Sequence, residues 1–453
     1  MLIGVSPMMT KPAYVRWMLM QEARSLLARL GQVKPFALTE SAVPAANISL
    51  SAQTAIDRYL ITGRQALRLQ VQAYLRWLRG LDDDNTHPAE AQHRLSLLRL
   101  RFNVTLSQFD IFADALTQRS EYETGVRLAG LDVVAADALR LEGYYAVPPV
   151  ICYLDRGAGA AIRRARTRLP GGGENPVAVI RVPRERMVGS GIASSLIHEV
   201  GHQAAELLDL VNSLRQLLQL QEREAKNSIW RYWERWISEI IADFWSVARV
   251  GVASTLGLMG VVSLPRAFVF RINRNDPHPF PWIRVILSCA IGEALYPHPQ
   301  WQRLARLWES FYPKTGLDAA RYALLNRLEA AIPEFVDLLI HHQPRSLRGR
   351  SLIEVMDTGN RQPDRLTGYY EHWQRMPAAM YRSAPTLVFA VIGQARADGR
   401  MSPEQESTIL AKLLTYWAVC DILSTAAACG KHDAAHRHQM HVHGPSGDIT
   451  AMV

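Results

Sequence analysis

Residues 192–220 read IASSLIHEVGHQAAELLDLVNSLRQLLQL and combine a helical pattern with metal-binding side chains. Apolar side chains recur every three or four positions along it, which predicts one long amphipathic helix over the whole stretch. The pattern is interrupted at one place by side chains that bind metals, where His198, Glu199 and His202 form the sequence HEVGH. The stretch therefore predicts a helix that packs into a core and also carries a chemical site.

The two histidines of HEVGH are four residues apart. Positions i and i+4 of a helix share a face, so both imidazoles can bind one metal ion. Glu199 follows His198 directly, and its carboxylate can take a proton from a water on that ion. Zinc would lower the pKa of this water towards ~7 and polarise a peptide carbonyl. HEVGH thus predicts one Zn²⁺ per chain and peptide hydrolysis with Glu199 as general base; two unrelated histidines on a helix are the alternative.

Catalytic zinc usually has three protein ligands, so HEVGH needs a further ligand from elsewhere. An extension along the same helix requires a histidine six residues after His202, but that position is Leu208. The other solution is a carboxylate on a following helix. The sequence WISEIIADFWS at 236–246 places Glu239 and Asp243 one turn apart. We therefore predict Glu239 as third ligand and Asp243 as acceptor for the second N–H of a ligating histidine; exposed acids on an amphipathic helix are the alternative.

The HEVGH and EIIAD motifs together resemble the gluzincin metallopeptidases, and EIIAD resembles the ExxAD motif of the CAAX prenyl protease and heat-shock protease X family. Members of that family carry a third motif, in which HP is followed by an arginine six residues after the histidine. HPFPWIR at 278–284 places His278 and Arg284 at this spacing. The resemblance implies that both residues lie near the metal and stabilise the oxyanion or organise the site. A turn histidine between prolines is the alternative for His278.

The resemblance covers about a third of the chain, from Tyr144 to Leu295. Zincins keep a substrate-binding edge strand shortly before the active-site helix, and Val177–Val182 is expected to be either that strand or an ordinary core strand. The relatives are embedded in membranes, whereas this sequence predicts no transmembrane segment. Its apolar run 250–264 is shorter than the ~20 residues a spanning helix needs. The substrates of the relatives are therefore not carried over.

The regions on either side of the motifs have the periodicity of helices. The predicted fold class is mainly α with a small β-sheet, formed by a zincin-like α+β metallopeptidase core flanked by helical domains. A polar stretch at 357–368 reads as a linker. The expected divisions are an N-terminal helical domain at 1–145, a metallopeptidase domain at 146–356, a C-terminal helical domain at 357–430 and a His-rich disordered tail at 431–453.

Composition excludes several other classes of protein. Hydrophobic residues make up 48% of the 453 residues, enough for a globular core. The net charge of +9 is spread along the chain without a basic block, so no specific nucleic-acid partner is expected. The four cysteines form no CxxC pair, which indicates reduced thiols. No signal peptide is recognisable, so the expected location is the cytoplasm.

The leading hypothesis is a soluble zinc endopeptidase that acts on a protein or peptide substrate. Two alternatives stay open. One is a regulatory or binding protein whose zinc site has no proteolytic activity. The other is an injected effector protease, which shares the chemistry but acts on a different partner. Glu199 argues against a purely structural zinc site, because such a site has no use for a base.

Overall fold

The computed structural model describes residues 11–36, 43–81, 87–155, 159–169, 172–184, 189–225, 228–273 and 275–442. Within these residues the chain is mainly helical with one small sheet, which confirms this part of the predicted fold class. The strands are β1 (Val150–Asp155), β2 (Ala161–Arg163) and β3 (Ala178–Pro183). The helices are α1 (Lys11–Gln32), α2 (Leu50–Arg79), α3 (Pro88–Thr117), α4 (Tyr122–Leu139), α5 (Ser190–Leu207), α6 (Leu210–Ala225), α7 (Trp230–Val250), α8 (Val252–Val262), α9 (Arg266–Val269), α10 (Pro281–Leu295), α11 (Gln300–Phe311), α12 (Ala319–Ile340), α13 (Leu352–Val355), α14 (Pro363–Arg375), α15 (Pro377–Tyr381), α16 (Pro385–Ala397) and α17 (Pro403–Val442).

The sheet has the strand order β1-β3-β2, with β1 parallel and β2 antiparallel to β3. Strand β3 is central and paired on both sides, so the expectation that Val177–Val182 forms an edge strand is wrong, and the alternative of a core strand holds. Its apolar residues are buried on both faces of the sheet, as a central strand requires. Strands β1 and β2 form the two edges, and the short, arginine-containing sequence of β2 gives no strand signal.

The sheet lies between two layers of helices. Cys152, Leu154 and Ile180 belong to one buried cluster with residues of α4 and α5. Ile151 and Val179, which point to the opposite face, belong to another cluster with residues of α2 and α3. The sheet therefore joins the N-terminal helices to the layer that carries HEVGH.

The HEVGH segment is followed by a break that the sequence pattern does not reveal. The prediction of one helix over 192–220 is wrong, because α5 ends at Leu207 and α6 begins at Leu210. Asp209 has a φ of +51°, a left-handed conformation that aspartate tolerates better than most residues. Its carboxylate accepts a hydrogen bond from Asn212 at 2.6 Å. The break lets α6 pack against α7 while both halves keep their apolar faces buried.

Helices α5 and α7 approach each other very closely at Gly201. A Cβ atom on Gly201 would lie 2.7 Å from the Cα and 2.9 Å from the carbonyl oxygen of Ala242. Gly201 is part of HEVGH, and Ala242 is part of EIIAD. The small residues inside the two motifs therefore set the distance between the helices that carry the predicted ligands.

The C-terminal helices share a core with the motif-bearing helices. One continuous buried cluster includes residues from Leu128 to Trp417, on both sides of the divisions predicted near 145 and 356. A Cβ on Gly393 of α16 would lie 2.3 Å from the Cβ of Ala253, and one on Gly130 of α4 would lie 2.3 Å from the carbonyl oxygen of Leu414. The division into domains stays a prediction, but these contacts bind α16 and α17 tightly to the rest.

The stretch expected to be a linker is folded. It contains a 3-10 turn at Gly359–Arg361 and the start of α14. The guanidinium of Arg361 is buried; it donates to the carbonyl oxygen of Arg249 at 2.8 Å and to the hydroxyl of Thr386 at 3.1 Å. The prediction of a linker at 357–368 is therefore wrong, because buried hydrogen bonds fix this stretch to α7 and α16.

Helix α17 begins at a capping arrangement in which Ser402 Oγ accepts a hydrogen bond from the backbone N–H of Gln405, at 3.3 Å. The helix continues to Val442, whereas 443–453 lie outside the described residues, and the expected disorder of the tail stays a prediction. Within α17, Pro403–Ser424 is the one helical stretch of the described chain with the length and composition to cross a membrane. A single marginal stretch of this kind is weak evidence for a membrane anchor.

Candidate metal centre

The predicted ligands of α5 and α7 meet in space. The rings of His198 and His202 lie on one face of α5, with centroids 4.9 Å apart. Across from them, Glu239 places Oε2 3.2 Å from His198 Nε2 and Oε1 3.6 Å from His202 Nε2. One ligand atom from each of the three residues lies within 4.8 Å of the other two. This buried His-His-Glu group can hold a metal ion.

The hydrogen-bond partners of the two imidazoles contact Nδ1 of each ring and leave Nε2 of each ring for a metal ion. Nδ1 of His198 lies 2.8 Å from Oδ1 of Asp243. A carboxylate there keeps a proton on Nδ1, so Nε2 is the nitrogen that faces Glu239 and that would give up its proton to a metal ion. Nδ1 of His202 lies 3.3 Å from the hydroxyl of Ser238, which supports the same orientation of the second ring. The donor set of two imidazoles and one carboxylate therefore fits a divalent transition metal.

Glu239 carries the charge that a ligand needs. Its side chain is buried, and burial alone would raise the pKa of the carboxyl group. Hydrogen bonds from His198, His202 and His278 outweigh burial and hold this pKa well below its usual range. Glu239 is therefore an ionised carboxylate surrounded by three imidazoles, an environment that a metal cation can enter.

Asp243 is held from two sides. It is 7% exposed, which excludes the alternative of exposed acids on this helix. Arg284 donates to it from Nε at 2.7 Å and from Nη2 at 2.8 Å, one bond to each carboxylate oxygen. Burial raises the pKa of Asp243, but the charges of Arg284 and His198 lower it below its usual range. In return, Asp243 overcomes the effect of burial on His198 and raises the pKa of that imidazole to about 9.

Arg284 thus holds Asp243, which in turn contacts His198. Its guanidinium is occupied by Asp243 and is not among the groups that line the adjoining cavity. Of the two roles that the family resemblance implies, oxyanion contact and organisation of the site, this geometry matches the second.

His278 reaches the centre from the loop before α10. Its Nε2 lies 3.2 Å from Oε2 of Glu239, and its side chain is 47% exposed, at the rim of the centre. Its Nδ1 lies 2.8 Å from Oδ1 of Asp276, which also accepts a hydrogen bond from the backbone N–H of His278, at 3.0 Å. The hydrogen bond to Glu239 raises the pKa of His278. These two contacts with Asp276 fix the imidazole of His278. Asp276 precedes His278 by only two residues, so the sequence could have indicated this contact.

A cavity of about 320 Å³, the metal cavity, is lined by the three candidate ligands His198, His202 and Glu239. Glu199 lines it and is 8% exposed; burial raises the pKa of its carboxyl group. Ala161 and Ile162 of β2 line the same cavity. The candidate general base and strand β2 therefore border one space beside the three residues.

Other residues near the centre have more ordinary roles. Trp230, Trp233 and Trp236 are almost fully buried and belong to the core. Tyr232 packs against Trp236, with ring centroids 5.3 Å apart, and does not line the cavity beside the candidate ligands. Ser238 was missed from sequence, because a serine beside Glu239 on a helix carries no recognisable signal.

Comparison of the chain with protein family models, curated proteins and solved structures finds no match. The resemblance to gluzincins therefore rests on three short motifs, and the family assignment stays a prediction.

Proposed function

We propose that this chain is a zinc-dependent endopeptidase of the gluzincin type. The observation that carries the proposal is the convergence of His198, His202 and Glu239 beside a cavity that Glu199 also lines. Zinc is the preferred ion because two histidines and one glutamate are a recurrent ligand set of catalytic zinc in peptidases. Such sites keep one coordination position open for water or substrate, and the cavity provides the space for it.

The chemistry follows from this ligand set and its neighbours. A zinc ion bound there polarises the scissile carbonyl and makes water more acidic. Glu199 takes the proton of the attacking water and returns it to the leaving amine. Burial raises the pKa of Glu199 above its ordinary value, and a raised pKa favours a carboxylate that takes up a proton and later returns it.

The surrounding groups hold these residues in place. Asp243, fixed by Arg284, orients His198, and Ser238 orients His202. His278, fixed by Asp276, presents its Nε2 at the rim of the cavity. A protonated imidazole at this position can donate a hydrogen bond to the oxyanion that develops on the substrate.

Two features favour an enzyme over a regulatory protein with a structural zinc site. A structural site is closed by four protein ligands and needs neither a base nor a cavity. Here the ligand group adjoins a cavity, and a buried glutamate that is not one of its ligands faces the same space. The buried glutamate would be costly in a purely structural site, because burial of a carboxylate without a compensating role destabilises the fold.

The test compares zinc content and cleavage of a casein and peptide library by wild type, Glu199→Gln and His202→Ala. All three proteins carry asparagine in place of the tail histidines, which removes adventitious binding at His432, His436, His438, His441 and His443. Glu199→Gln should keep about one zinc per chain and lose about 10²–10⁴-fold in rate, because glutamine cannot act as a base. His202→Ala should lose most of the zinc.

Equal cleavage by wild type and Glu199→Gln, with zinc in both, would show that the activity comes from elsewhere. A zinc-loaded wild type that cleaves nothing in the library would favour the binding protein. A folded wild type without zinc would reject the metal centre itself.

A further inference from the structure

The metal cavity adjoins a second cavity across strand β2. This second cavity measures about 570 Å³ and lies on the other side of the strand. Ala161, Ile162 and Arg164 line both cavities, so the two spaces meet at the edge of the sheet. An extended segment that runs along β2 would therefore contact both.

The edge position of β2 determines where the side chains of such a segment point. An extended peptide that pairs with an edge strand continues the sheet, and its side chains alternate between the two faces. Ile162 belongs to the metal side, where it packs against the cluster that contains α5. Arg163 pairs with Val179, whose side chain belongs to the cluster on the α3 face. Every second side chain of a bound peptide would thus lie on the face of Arg163.

The face of Arg163 is basic. The second cavity is lined by Arg163, Arg164 and Arg181, with Asp114 as the acidic residue among its lining groups. Arg181 is paired with Asp155 at 3.3 Å, and Arg164 with Glu206 at 2.8 Å. Arg163 is exposed and makes no ion pair among the described residues.

A buried hydrogen-bond donor of Arg181 also indicates that this face binds an anionic group. Nε of Arg181 is inaccessible to solvent and has no hydrogen-bond acceptor among the described residues. A buried N–H without an acceptor costs free energy, and a carboxylate in the cavity could satisfy it if the partly exposed side chain of Arg181 turned towards it. The free charge of Arg163 and the unsatisfied donor of Arg181 both indicate an anionic ligand on this face.

We infer that the substrate is an extended peptide with acidic side chains at alternate positions, which pairs with β2 and places its carboxylates against Arg163 and the second cavity. The inference names the substrate class of the proposed peptidase and rests on that function for the cleavage step. Binding needs no hydrolysis, so it can be measured separately. Opposite charges directly across neighbouring strands stabilise their pairing. Acidic residues at alternate positions would therefore bind more tightly than adjacent ones, because both would lie on the face of Arg163.

The test uses fluorescein-labelled peptides of one composition and the full-length, zinc-loaded Glu199→Gln protein. In one peptide two glutamates are separated by one residue, in a second they are adjacent, and in a third both are replaced by glutamine. In anisotropy titrations at low salt, the first peptide should bind most tightly, the second less tightly and the third most weakly. We expect about two- to fivefold between the first two and about tenfold between the first and the third, as for partly exposed ion pairs.

The matched variants are Arg163→Gln and, as a control, Arg303→Gln on α11, an exposed arginine outside both cavities. Arg163→Gln should remove most of the preference for glutamate, and Arg303→Gln should leave it unchanged. Equal binding of all three peptides, or an unchanged preference in Arg163→Gln, overturns the inference. Tighter binding of a single-stranded oligonucleotide than of any peptide also overturns it.

The two proposals fail in different ways. If wild type cleaves no peptide but Glu199→Gln retains the preference for alternating glutamates, the peptidase is rejected and the acidic-peptide site stands. If wild type cleaves all three peptides equally well and binds them equally, the peptidase stands and the substrate class is rejected.

Discussion

Gly201→Ala tests whether the packing of α5 on α7 sets the geometry of the metal centre. The new methyl group would lie 2.7 Å from the Cα and 2.9 Å from the carbonyl oxygen of Ala242. Carbon atoms pack at about 3.5–4.0 Å, so the helices must separate locally by about 1 Å. Both obstructing atoms are backbone, and no side-chain rotation can relieve the contact.

Gly201→Ala should affect both the stability of the fold and the binding of the metal. Overpacking costs about 1–3 kcal/mol, but alanine favours a helix over glycine by about 1 kcal/mol, so the net loss is about 0–2 kcal/mol. Metal–ligand distances tolerate only about 0.2 Å, far less than the required displacement. Because His198 and His202 move with α5 and Glu239 moves with α7, the affinity for zinc should fall at least tenfold.

The assay is a competition titration of zinc against a chromophoric chelator, together with thermal unfolding of the metal-free protein. The matched control is Gly260→Ala in α8, where a new Cβ meets nothing within 4 Å. The control should leave zinc affinity unchanged and should not destabilise the fold. If Gly201→Ala binds zinc as tightly as wild type, the close helix contact does not determine the site, and the reasoning is refuted.

Three further predictions concern the groups around the ligands. Asp243→Asn should weaken zinc affinity by about 10–100-fold in the same titration, because a neutral amide supports His198 less well than a carboxylate; unchanged affinity would remove Asp243 from the site. Arg284→Lys should also weaken zinc binding, because lysine cannot form the paired hydrogen bonds to Asp243; a variant equal to wild type would contradict this. Removal of zinc by a chelator should lower the Tm of wild type but not that of His202→Ala. The reason is that zinc at a thousandfold excess over its Kd stabilises the native state by about 4 kcal/mol. Equal shifts of the two Tm values in calorimetry would show that the metal binds elsewhere.

The convergence of the ligand residues could be predicted because it depends mainly on local geometry. The helical period places His198 and His202 on one face, and the same period aligns Glu239 with Asp243. The sequence then needs only one helix–helix contact to bring the two pairs together. The small residues Gly201 and Ala242, inside the motifs themselves, provide that contact.

The features that were missed depend on tertiary structure. The apolar pattern of 192–220 continues through Asp209, because both α5 and α6 bury one face, so periodicity alone hides the break. Strand β2 has the sequence Ala-Ile-Arg and owes its conformation to pairing with β3. The polar stretch 357–368 reads as a linker, although Arg361 is buried there by hydrogen bonds to residues distant in the chain.

The close packing of α17 on α4 bears on the stage at which the chain can acquire its metal. Helix α4 also packs against β1 and α5, so α17 completes the layer behind HEVGH. During synthesis the ribosome makes His198, His202 and Glu239 long before Leu414, which covers Gly130. Until α17 emerges, the nascent chain exposes the apolar face of α4, and such faces are prone to aggregate or to engage chaperones. Tight metal binding needs a settled scaffold, so we expect a metal ion to be bound only after α17 has been synthesised.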